Sequence, residues 1–132
     1  MSKWSHLANA KHIDRIIAHT KANSGARVAA WDAARDAAYN AAWDAAWDAA
    51  RVAARDAAAW DAAYNAAIGA PAWFAVWDPA RVAILALVAW DHAGGLMYLP
   101  AEQVKVLSLL GDRAAILLYP AIAVMETTQE LA

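Results

Sequence analysis

Residues 27–67 read RVAA WDAA RDAA YNAA WDAA WDAA RVAA RDAA A WDAA YNAA, a tetrapeptide repeat interrupted once, by Ala59. Alanine is the best helix former, and no Gly or Pro breaks the run before Gly69 and Pro71. Asn23-Ser24-Gly25 precedes it and offers Ser24 as an N-cap, so the repeat predicts one helix over residues 24–68. The repeat alone would be roughly 60 Å long at 1.5 Å per residue, about twice the ~30 Å of a compact domain. A protruding helix, a kink, or a partner along its length is therefore expected.

The phase of the repeat carries its own message. Four residues advance about 400°, so each tetrad start drifts about 40° around the helix. From Arg27 the drift carries Trp31, Tyr39, Trp43 and Trp47 across one broad sector and takes Arg51 and Arg55 beyond it. Inserted Ala59 adds about 100° and returns Trp60, Tyr64 and Ile68 to the aromatic sector. Such a correction points to packing.

On the N-terminal side, Leu7, Ile13, Ile16 and Ile17 give an apolar stripe that predicts a first helix over residues 4–22. On the C-terminal side, Asp78-Pro79 reads as an N-cap followed by an N1 proline, and Gly94-Gly95 as a stop. Val82 to Trp90 is apolar all round and predicts the buried centre. Pro100 opens a further helix to Leu110, stopped by Gly111. Asp112 caps a last helix from Arg113, kinked or ended at Pro120 and frayed at Thr127-Thr128. No period-2 strand pattern occurs. The expected fold is all-α: one long Ala-rich tetrad helix packed with about four shorter helices, in a single helical domain over residues 1–132 with an apolar core in 72–126.

Composition narrows the function classes. A chain of 132 residues, 62% hydrophobic and 18% charged, is large enough for a core and too apolar for disorder. A net charge of −2 lacks the basic excess of a general nucleic-acid binder. The absence of cysteine excludes disulfides, thiolate nucleophiles and Cys-based zinc sites. The N-terminus lacks the apolar stretch of a signal peptide. The runs Val82–Trp90 and Ala114–Met125 fall short of the ~20 residues of a membrane span. The expected location is the cytoplasm, with no membrane partner.

The WDAA and RDAA tetrads, together with ALVAWDH at 86–92 and LLGDRAAILLYPA at 109–121, resemble a loose group of bacteriophage proteins. These are alanine-rich, carry tandem WDAA-like units and have no known function; some are similar to helical immunity proteins. Members often carry a second acidic residue where this chain has His92. The resemblance implies a phage origin, hence a host bacterial cytoplasm, and an accessory role. It supplies no reaction.

No catalytic constellation is assembled in the sequence. His12 and His19 share a face, yet lie ~10 Å apart along the axis, too far to hold one metal unaided. Asp91 and His92 are adjacent, and helix neighbours do not face each other. Phosphate-binding glycine loops and nucleophile elbows are absent. Asp32/Asp36 and Asp44/Asp48 sit at i,i+4, where partial pairing with Arg35 and Arg51 is simpler than cation chelation. The sequence thus predicts no enzyme, catalytic residue, cofactor or metal.

Trp47, Arg51 and Arg55 stand out as a candidate ligand site. They occupy consecutive tetrad starts, a slanting stripe that could stack a base on the indole and clamp phosphates with the guanidinium forks. Trp43 and Trp47 are the candidate interface residues. Asp44 and Asp56 stand where they could accept the indole N–H bonds of Trp47 and Trp60. The alanine ladder permits close helix approach, and predicts a homo-oligomer, a dimer or higher. Two functions follow as expectations for a non-enzymatic phage accessory binding protein: sequestering a nucleotide-like host-defence signal, or binding and inhibiting a host protein through the exposed tetrad face.

Overall fold

The computed structural model describes residues 3–22, 40–54, 57–68 and 79–131, and among these every regular element is helical. In chain order they are α1 (Ala10–Ala22), α2 (Asn40–Ala53), α3 (Ala57–Ile68), α4 (Pro79–Ala89), a 3₁₀ segment (Asp91–Tyr98), α5 (Ala101–Leu109) and α6 (Arg113–Leu131). No strand occurs among the described residues. Ser24, Trp31, Trp73, Trp77 and Asp78 lie outside them.

α4 is the hub. Val82 to Val88 are all buried, and α4 packs against α1, α2, α3, α6 and the 3₁₀ segment. That explains the unbroken apolar run from Val82 to Val88: a stretch covered on every side has no face on which to place a charge. Pro79 is its first residue, where a missing N–H costs nothing. The surrounding helices contribute Ile13, Ile16 and Ile17 from α1, Ala46 and Ala50 from α2, and Leu117 and Leu118 from α6 to the same core.

The described part of the repeat is two helices, where the sequence predicts one. α2 closes with the Ala54 N–H donating to the Ala50 carbonyl at 2.8 Å, Ala54 itself is not helical, and α3 begins at Ala57. The Trp47 and Trp60 rings meet edge to face at 5.9 Å. In one straight helix these residues would be about 20 Å apart along the axis. Breaking the repeat lets both aromatics reach the core, to which a rigid rod would present only one stretch. Ala59, the inserted residue of the repeat, lies within α3 and is buried.

Two further boundaries differ from expectation. Residues 3–9 form turns, with the Leu7 N–H on the Trp4 carbonyl and the Ala10 N–H on the Leu7 carbonyl, so α1 starts at Ala10. α4 ends at Ala89, before Gly94-Gly95, because Trp90 adopts an extended backbone (φ −131°, ψ 117°). Asn9 then takes over the end of α4. Its Nδ2 donates to the carbonyls of Leu87, which the helix end leaves open, and of Trp90, which also accepts the Ala93 N–H, both at 3.0 Å. The glycine pair instead lies inside the 3₁₀ segment. Gly94 is buried there with Met97 on the same face, three residues on, and its Cα packs against Asn9 and His12.

The α5–α6 connection follows the local rules. The Gly111 N–H bonds the Ser108 carbonyl, the Asp112 N–H bonds the Leu107 carbonyl, and Gly111 has φ +92°: a Schellman closure. Asp112 Oδ1 accepts the Ala115 N–H at 3.0 Å, capping α6. α6 runs past Pro120 and past Thr127-Thr128 to Leu131, so neither ends it. Pro120 is fully buried.

Candidate functional site

The predicted stripe begins on α2. Trp47 is half-buried, packed against the core and edge-on to Trp60 of α3. Its ring therefore joins the two repeat helices. Arg51 is one turn further on and 60% exposed, 3.9 Å from the carboxylate of Asp48, itself 74% exposed. Such a pair in open water is worth little, and the guanidinium can turn to another anion at small cost. Arg55 lies outside the described residues. Trp43 is on α2, with its side chain outside the described set. The exposed tetrad face of α2 thus carries Asp48, Arg51 and Val52.

Asp56 and the side chain of Asp44 lie outside the described residues, and an indole–aspartate bond is described at the N-terminal end. Trp4 Nε1 donates to Asp14 Oδ1 at 2.8 Å, tying the N-terminal turns to α1.

A cleft of about 520 Å³ opens where three elements converge. Leu7 comes from the N-terminal turns, Ala53 from the end of α2, and Trp90, Asp91 and His92 from the junction of α4 with the 3₁₀ segment. The Trp90 and His92 rings lie 6.4 Å apart, tilted by 40°. Asp91 and His92 are both exposed. The wall therefore offers two aromatic surfaces, a carboxylate and an imidazole, above an apolar base that includes the buried Val88. This is a stacking surface with polar groups at its edge. The sequence marks Trp90-Asp91-His92 as adjacent residues; nothing local in it places Leu7 and Ala53 beside them.

The remaining histidines have separate surroundings. His12 is buried under Tyr98, rings edge to face at 5.1 Å, and Lys11 Nζ stands 5.7 Å from the same Tyr98 ring. Burial, then the charges of Lys11 and Arg15, hold His12 below the ordinary imidazole value. His19 is lowered in the same way, by burial and then by Arg15. Among the described residues no group of three or more His, Asp or Glu side chains converges on a metal-sized site. No helix among them is long and apolar enough to cross a membrane.

No family model, curated protein or solved structure matches this chain. Its surface is accordingly the guide to its function.

α5 supplies the most distinctive part of that surface. Val106, Leu109 and Leu110 are 50, 63 and 78% exposed. Their i, i+3, i+4 spacing puts them on one side of the helix, while Val104 faces the core. Scattered exposed apolar residues are ordinary; three on one short helix form a strip that water solvates poorly.

Proposed function

We propose that this chain is a non-enzymatic binding protein with a phage accessory role, acting by gripping and inhibiting a host protein. The apolar strip Val106, Leu109 and Leu110 on α5 carries this reading. A helix that presents leucines to solvent gains most from a partner that covers them, at about 25 cal/mol per Å² of apolar surface removed from water. The exposed face of α2, with Val52 beside the Arg51–Asp48 pair, offers a second apolar residue with charged neighbours, the composition of an interface rim.

A second reading has its own observation. The Trp90–His92 cleft has the volume and the aromatic walls for a nucleobase, which supports sequestration of a nucleotide-like signal. In that case the base stacks at Trp90, and Trp47 serves as packing. Self-association, of dimer or higher order, is a third use open to the α5 strip.

Native mass spectrometry of protein purified from bacteria separates these. The wild type is compared with a Leu109→Asp/Leu110→Asp variant, whose changes lie at exposed positions and leave the core intact. A stoichiometric foreign chain lost in the variant supports host-protein capture. A multiple of 14.1 kDa lost in the variant assigns the strip to self-association instead. Extra mass of about a few hundred daltons, released on denaturation, favours the small-molecule reading. A bare monomer from both proteins would falsify all three.

A further inference from the structure

A second, smaller cleft of about 300 Å³ lies between α1, α6 and the end of the 3₁₀ segment. Met97, Ile122 and Met125, all buried, contribute its apolar lining, and Tyr98 stands at its side. Two charged side chains also line it, Arg15 from α1 and Glu126 from α6. They make no ion pair with each other. Glu126 is held in place, because its Oε2 accepts the Ala101 N–H at 2.8 Å. Its other oxygen is left to accept a second donor.

A cation and an anion that share one small cleft without touching are complementary to a molecule carrying both opposite charges. The apolar lining adds a third requirement, a short hydrocarbon or thioether group. We propose that this cleft binds a small zwitterion of the α-amino-acid type with an aliphatic side chain. The ligand carboxylate lies on the Arg15 fork, its ammonium on Glu126, and its side chain on Met97, Ile122 and Met125. The two methionines are unbranched and adaptable, so the site selects a class of side chain over a single one. The volume is at the bottom of the range for small-molecule sites, too small for a nucleotide and suited to about ten heavy atoms. This cleft is separate from the Trp90 cleft and from the α5 strip, and the inference stands independently of the function proposed above.

The test is a methyl NMR titration of the whole chain, labelled at Met and Ile methyls, with three probes. These are L-methionine, its methyl ester, which lacks the carboxylate, and N-acetyl-L-methionine, which lacks the ammonium. Expected are saturable shifts at Met97, Ile122 and Met125 with L-methionine, Kd about 1 mM or tighter, and roughly tenfold weaker binding of each analogue. Arg15→Gln should erase the preference over the ester. Glu126→Gln keeps an acceptor for the Ala101 N–H and should erase the preference over the acetylated probe. Absence of saturable shifts at about 10 mM, or equal binding of all three probes to the wild-type protein, would overturn the proposal.

Discussion

Gly94 and Gly95 are identical neighbours in the sequence, and the fold treats them differently. A methyl group at Gly94 would run into the Asn9 side chain and come within 3.0 Å of His12 Cδ2, whereas at Gly95 it would meet nothing within 4 Å. Asn9 cannot retreat without releasing the Leu87 and Trp90 carbonyls. Gly94→Ala should therefore destabilise the protein by about 1–3 kcal/mol, and Gly95→Ala by less than about 0.5 kcal/mol, as read from urea midpoints. His12, in the same cluster, sets a pH dependence. Its folded-state pKa lies below the ordinary 6.5, so the unfolded chain binds the proton more readily. The resulting stability is fully present above pH 6.5 and is lost as pH falls below that value toward the lowered folded pKa. His19 acts in the same direction. Urea midpoints should fall as the pH is lowered from about 7.5 to about 5, and His12→Gln should flatten part of that slope. A midpoint rising toward acid would contradict the burial of these imidazoles.

At the scale of elements, the two ends of α5 and the start of α6 are the most legible part of the chain. Pro100, Gly111 and Asp112 act within four residues of themselves, through a fixed φ, a positive φ and a side-chain cap. Asp112→Ala should cost about 1 kcal/mol by leaving the Ala115 N–H without its acceptor, and Asp112→Asn should recover most of it. If alanine and asparagine prove equally stable, the cap contributes nothing. The end of α4 was illegible for the opposite reason. Its Leu87 carbonyl is bonded by Asn9, from the far end of the chain, and Trp90 leaves the helix four residues before the glycine pair read as a stop. The start of α1 shifted likewise: Leu7 fits the apolar stripe, but the bonds around Trp4 to Asn9 close turns ahead of the helix.

For the whole molecule, the decisive contact is Trp47 with Trp60, which exists only because the repeat is broken between α2 and α3. Truncating either ring to alanine should cost about 3–5 kcal/mol if its burial is complete, and less here because both are half-buried. A double-mutant cycle with Trp47→Leu and Trp60→Leu should give a coupling of about 0.5–1.5 kcal/mol, measured by denaturant titration. A cycle that closes to zero would mean the two helices fold against α4 independently. Of the predicted ligand stripe, this contact involves Trp47 alone. Trp47 was legible as an aromatic on a repeat, but not as the partner of Trp60, because a helical wheel of an unbroken helix never brings residues 47 and 60 together.

The sequence by itself determined that the described chain is helical, where α5 begins and ends and α6 begins, and that α4 lies at the centre. Those features depend on interactions within a turn or two, or on a stretch with no polar side to offer water. Only the tertiary structure decided that the described repeat is two helices, which tryptophans pack, and which distant residues share a cleft. The tetrads are nearly equivalent in helix propensity, so no local term selects the peptide that gives way. What distinguishes them is burial: α2 and α3 each pack against α4, and Ala46, Ala50, Ala59 and Ala63 are buried.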